Sequence, residues 1–171
     1  MATPDDTASD IFLPDGRLRP DFLSETSLAA LDESLKQARD THWDSVRSPH
    51  VFMGLLANPD AGIRNWGERL DEDLTHILGQ FQELFRQEEG EKNPILMLNR
   101  EFLSDNVIRL LRDAYQRAVA NKRRQISAMD LLISMLTAPN SIVAECFERI
   151  GITAAKLTEL AVIAEHQAPS S

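Results

Sequence analysis

The feature that most constrains this chain is self-similarity at one fixed offset. Slid against itself by 80 residues, Phe22-Leu23-Ser24 falls on Phe102-Leu103-Ser104. The same offset sets Leu31 on Leu111, Ala38 on Ala118, Val46 on Ile126, Leu55-Leu56 on Met135-Leu136, Pro59 on Pro139 and Glu68-Arg69-Leu70 on Glu148-Arg149-Ile150. No gap interrupts the match, so the chain reads as two copies of one supersecondary unit. A short unit of one-sided helices leaves apolar surface that a second copy can cover. The expectation is therefore an all-α fold, a tandem duplication of a four-helix repeat packed as one pseudo-twofold eight-helix domain.

Periodicity supplies the helices. From Ser24, a credible N-cap, Leu28, Leu31, Leu35 and Ala38 form one apolar stripe. A second helix opens at Ser48-Pro49, where Ser48 can accept a first-turn N–H and proline needs no N–H partner, and carries Val51, Phe52, Leu55 and Leu56. Asn58-Pro59-Asp60 stops it. A short third helix runs through Ile63, Trp66 and Leu70, and a fourth starts near Asp71 with Leu74, Ile77, Leu78, Phe81 and Phe85 inward. The second half repeats the programme on Ile108, Leu111, Tyr115 and Ala118, then opens its next helix with Ser127 and Asp130, a capping box in form. Pro139-Asn140 leads into Ile142, Val143, Cys146, Phe147 and Ile150, Gly151 is placed to cap that helix, and the last helix starts at Thr153. The expected boundaries are a flexible arm over 1–21, in which Phe12 and Leu13 could still dock, repeat one over 22–85, a linker over 86–101, repeat two over 102–165 and a frayed tail over 166–171. Within the linker, Ile95-Leu96-Met97-Leu98 is read as lying across the core.

Composition excludes more than it selects. The 171 residues carry a formal net charge of -9, so the long-range field repels phosphate, and neither nucleic acid nor an anionic membrane is expected as a partner. The single Cys146 cannot close an internal disulfide, which fits a reducing, cytoplasmic compartment. Nothing at the start reads as a signal peptide and no apolar run approaches a membrane span. There is no G-x-x-x-x-G-K-[ST], H-E-x-x-H, C-x-x-C or G-x-S-x-G, so neither an enzyme nor a metal or other cofactor is expected. Cys146 sits on an apolar stripe and reads as a small buried hydrophobe. In the one basic concentration, Arg109, Arg112, Arg117 and Lys122-Arg123-Arg124, the last three are read as cations at the C-terminal end of a helix. Trp43 is read as packing against the bundle end.

The duplicated pieces carry a resemblance. Val46 to Leu56, VRSPHVFMGLL, resembles the I-G-T-E-H-L-L-L-G-L-L element of the Clp N-terminal repeat, and Ile126 to Leu136 is a looser second copy. Glu148 to Thr153 resembles the L-x-x-x-G-[IV]-[DT] turn that closes such a repeat, whereas repeat one goes directly from Leu70 to Asp71. The resemblance spans about Phe22 to Glu165 and is to the double four-helix module in front of the ClpA, ClpB and ClpC unfoldases, also found as free-standing proteins.

That resemblance implies binding rather than catalysis: a module receiving adaptors or unfolded substrate, with hydrolysis in AAA+ modules elsewhere. The ClpC branch associates phosphoarginine recognition with a Glu before each His of the E-H-L element; Pro49 and Met129 stand at those positions here. The ClpB branch opens a peptide groove where this chain has Ser24, Asp113, Met129 and Asp130, which is more polar. The expected site for a protein or peptide is thus Ser24, Pro49, Asp113, Met129 and Asp130, with a monomer as the default state. The alternative the resemblance leaves open is a stand-alone accessory protein that steadies a Clp protease or chaperone assembly through its outer face and the arm 1–21.

Overall fold

A computed structural model of the chain describes residues 10–90 and 94–167. Eight α-helices are seen among them: α1 Glu25–Asp40, α2 Ser48–Ala57, α3 Ala61–Leu70, α4 Leu74–Phe85, α5 Asp105–Ala120, α6 Ala128–Thr137, α7 Ile142–Glu148 and α8 Ala154–Gln167. Single 3-10 turns at Pro20–Phe22 and Arg100–Phe102 lead into α1 and α5. The all-α expectation holds, and α1 with α5, and α2 with α6, keep the offset seen between Phe22 and Phe102.

Short polar residues start the helices by accepting orphan N–H groups, worth about 1 kcal/mol each. Ser24 accepts from Ser27, Ser104 from Val107, Asp60 from Ile63, Asp73 from Thr75, Ser127 from Asp130 and Ser141 from Ala144. The first turn of α2 differs from expectation: Arg47 is its N-cap and Ser48 the first helical residue, and the ring of His50 accepts the Arg47 N–H at 2.9 Å.

Helices α2 and α6 are the spine. Pro49 to Leu56 and Ala128 to Leu136 are buried on every side, which is why these stretches are apolar almost throughout rather than striped. Helix α1 approaches α2 closely because Gly54 has no side chain: a Cβ there would lie 2.2 Å from the Ala30 carbonyl oxygen. Phe52, Phe81, Trp66 and Phe147 then knit the halves, with the Trp66 and Phe147 rings 6.0 Å apart and the Trp66 Nε1–H donating to the Leu157 carbonyl at 3.1 Å. Backbone pairing across the junction is reciprocal. Leu23 bridges Ile126 and Val46 bridges Leu103, so each half lends the residue before its first long helix to the residue before the other half's second.

Several expectations need correction. The arm is not free over its described part: Ile11, Phe12 and Leu18 are buried, Phe12 bridges Leu18 around a Pro14-Asp15-Gly16 turn with Gly16 at φ 93, and Arg17 bridges Asn99. Residues 1–9 of that arm lie outside the described residues. Helix α4 starts at Leu74 rather than near Asp71, because Asp71 adopts a left-handed φ of 59 and Asp73 supplies the cap. Asp71 thereby closes α3 as Gly151, at φ 88, closes α7, each followed by an N–H that reaches back to Gly67 or Phe147. The closing turn that repeat one lacked in sequence is present with aspartate in the glycine position.

Of the 95–98 strip only Leu96 is fully buried, while Ile95 and Met97 are 79% and 52% exposed because the extended chain alternates faces. In the linker, Gln87 donates its N–H to the Thr41 carbonyl at 2.9 Å; residues 91–93 lie outside the described residues. Helix α8 continues to Gln167 where fraying was expected, and 168–171 lie outside the described residues. No helix among the described residues is long and apolar enough to cross a membrane.

Candidate functional site

The structure divides the five predicted site residues between two stations related by the offset of the halves. Helices α1 and α5 each end in a left-handed residue, His42 and Lys122, whose successor sends its N–H back to Ala38 or Ala118. These motifs put Trp43 and Arg123 in the same place in the two halves. The first turns of α2 and α6 add Pro49 and His50 against Met129 and Asp130, and α4 and α8 add Phe85 against Glu165.

At the first station Trp43, His50 and Phe85 are neutral, with the charged Arg47 beside them. The Trp43 Nε1–H donates to the Phe85 carbonyl at 2.6 Å, fixing the half-buried indole edge-on to His50 with ring centres 5.4 Å apart; the Arg47 guanidinium lies 5.0 Å from the Trp43 ring centre. His50 is fully buried. Its Nδ1 accepts the Arg47 N–H, so Nε2 carries the proton and donates to the Thr41 hydroxyl at 3.2 Å. Burial, assisted by the Arg47 charge, pushes its pKa down to about 4, and it stays neutral at pH 7.

What these residues leave between them is open. A cleft of about 370 Å³ is lined by Trp43, Arg47, Ser48, Pro49, His50, Phe85, the first turn of α5 and Ile142. A smaller recess continues it past Ser48, Asn106 and Ile142 to Arg109, Asp113 and Pro139. Ile142 stands at the rim, 43% exposed although its periodicity places it inward. Pro49, itself buried, therefore backs the cleft, and exposed Asp113 lines the recess that continues it.

The second station is charged, and its groups pair with one another. Asp130 is 0% exposed; its carboxylate accepts the Ser127 N–H at 2.8 Å and pairs with Arg117 at 2.7 Å and with Arg123. Arg117 reaches on to Glu165 in a two-pronged pair of 2.7 and 2.8 Å. Burial alone would raise the Asp130 pKa, yet the hydrogen bonds from Arg123, Ser127 and Arg117 outweigh it and hold the carboxyl below the usual range. The basic concentration is thus partly an internal ion-pair network rather than a helix-end charge effect. Met129 is 4% exposed and seated on Gly62, where a Cβ would come within 2.7 Å of its Cγ. Ser24 is committed to capping α1, and its backbone N–H donates to the Ile126 carbonyl at 3.0 Å. Met129 and Asp130, expected at a binding site, are buried and held by internal contacts, because the small Gly62 and the nearby Arg117, Arg123 and Glu165 complete their surroundings.

Sequence reasoning did not single out Phe85 and Ile142 as cleft residues. Both carry the ordinary inward signal, and only the cross-half junction exposes them. Cys146 is half-buried, and burial pushes its thiol pKa up, as suits a packing residue. Among the described residues no three His, Cys, Asp or Glu side chains converge as metal ligands.

No protein-family model matches the chain, and no curated protein matches it in sequence. Solved structures do match. The N-terminal domain of the caseinolytic protease associated chaperone ClpD from Arabidopsis thaliana aligns with a TM-score of 0.65 at 15% identity, over 85% of this chain and 95% of that one. The N-terminal domain of the ClpV1 ATPase from E. coli EAEC gives 0.63 at 16% identity, over 88% and 91%. A ClpV N-domain in complex with a VipB peptide gives 0.62 at 19% identity, over 87% and 91%. These likenesses show the fold: the chain has the fold of Clp N-terminal domains.

Proposed function

We propose that this chain, folded as Clp N-terminal domains are, is a non-catalytic protein-binding module that receives a short segment of a partner protein in the cleft between Trp43 and Ile142. The partner is an adaptor or a substrate segment presenting a large apolar residue. The observation that carries the reading is the cleft itself: aromatic and apolar walls from Trp43, Pro49 and Phe85, an apolar rim at Ile142 and an arginine stacked at its edge. Trp and Arg are the side chains that most often dominate binding energy at such surfaces. A neighbour of the same fold holds a peptide, which supports a peptide as the occupant. Chemistry is disfavoured by the state of the reactive groups: His50 is neutral and enclosed and the Cys146 thiol is raised.

The accessory role drew on the outer face and the arm 1–21, and Ile11, Phe12 and Leu18 of that arm are already packed inside this chain, so it is the weaker reading. A peptide array probed with the purified protein tests the proposal. Spots bearing Leu, Ile, Met or Phe in polar surroundings should retain the wild type and lose Ile142→Asp, whose new charge sits favourably at the first residue of α7 and spares the fold. An array on which wild type and variant bind alike, or neither binds, would overturn it.

A further inference from the structure

The two stations occupy corresponding places, so a module built this way has room in principle for two ligand segments, one per half. Position by position, this chain departs from that symmetry in a consistent sense. Gln37, Trp43, His50 and Phe85 in the first half stand where Arg117, Arg123, Asp130 and Glu165 stand in the second. The first set is neutral and leaves a cleft of about 370 Å³. The second set closes on itself in one network: Arg117 joins Asp130 to Glu165, and Arg123 pairs with Asp130 while approaching Glu165 at 3.8 Å. The rim is exchanged as well. Ile142, at the mouth of the open cleft, corresponds to Gly62, and the space that a side chain at 62 would need is filled by Met129, the counterpart of Pro49.

From this we infer that each copy of the chain takes up a single peptide segment, on the Trp43–Ile142 side only, because Met129 and the Arg117–Asp130–Arg123–Glu165 network plug the corresponding groove of the other half. The inference rests on the protein-binding reading above and adds occupancy and side. The two closing devices act differently. Met129 removes volume, while the network replaces the aromatic wall with carboxylates and guanidinium groups already satisfied by one another, so an apolar ligand residue entering there would have to separate them in a partly dry setting. Separating such pairs leaves charges uncompensated and is strongly unfavourable.

The test is a nuclear magnetic resonance titration of the intact protein, labelled at Ile and Met methyl groups and at Trp side chains, with N-acetyl-phenylalanine amide as the probe. Saturable shifts are expected at the Ile142 methyl and the Trp43 indole, with the Met129 methyl unmoved and the curve fitting one site. Saturable shifts at both stations of the wild type would overturn single occupancy and leave the protein-binding reading standing. Shifts at neither would overturn both. In Met129→Ala, a second saturable set should appear at the Ile63 methyl while the Ile142 shifts persist. A folded Met129→Ala protein without that second set would overturn the assignment of Met129 as the plug.

Discussion

Two halves with the same helices solve the same local problem with opposite chemistry, and the contrast is sharpest at the third residue of α2 and α6. His50 and Asp130 are both fully buried, and each accepts the N–H that opens its helix. His50 does so as a neutral ring with Thr41 as its other partner; Asp130 does so as a charge compensated by two arginines. The neutral solution needs no further groups and leaves its aromatic neighbours facing a cleft. The charged solution recruits Arg117, Arg123 and Glu165 into one ion-pair network. The way each half satisfies one helix-opening N–H sets the charge of the groups around it.

The contrast can be broken at its charged end with the largest effect. Asp130→Ala would leave Arg117 and Arg123 without their shared carboxylate and α6 without half its capping box, and a loss of about 3–5 kcal/mol is expected in urea unfolding. A loss below 1 kcal/mol would show that the network is not a structural commitment.

Acid should strike the neutral end first. The folded-state pKa of His50, about 4, lies below its ordinary 6.5, so the unfolded chain takes up the proton more readily. The associated stability is fully present above pH 6.5 and is lost as pH falls from there to about 4, amounting to about 3 kcal/mol at 1.36 kcal/mol per unit. Asp130 is held below its ordinary 3.8, so its contribution persists through that window and fails only at lower pH. Urea unfolding of the wild type and His50→Gln between pH 7 and 4 checks this: the variant should lose the slope in that range.

Legibility from sequence tracks the range of the interactions. The helices and their order are written in local signals, since Ser24, Ser104 and Ser127 cap the helices that begin just after them and the apolar stripes mark the packed faces. The hairpin at 11–19 was legible in principle, because Pro14-Asp15-Gly16 is a strong turn, but its flanking arms are too short to show alternation. Asp71 hid a closing turn because the left-handed position is usually glycine. Asp71→Gly should therefore stabilise the protein, by up to about 1 kcal/mol in the same urea assay, whereas Gly151→Ala should destabilise it. The site was least legible. Nothing near Met129 announces Gly62, and nothing near Asp130 announces Glu165; both meetings depend on how the halves dock. Asp113 reached the open surface for the same reason, together with Ile142, whose periodicity alone would have buried it, while Pro49 lies buried beneath the cleft.

The most direct test of the central claim is a calorimetric titration of an array-selected peptide into the wild type, Ile142→Asp and Ile95→Asp. Ile95 is more exposed than Ile142 but lies away from the cleft, on the segment beside the amino-terminal hairpin. Binding at the Trp43–Ile142 cleft predicts that Ile142→Asp weakens the peptide by at least about tenfold, or 1.4 kcal/mol, while Ile95→Asp leaves the affinity unchanged. Equal affinity in all three proteins, or a loss confined to Ile95→Asp, would contradict it.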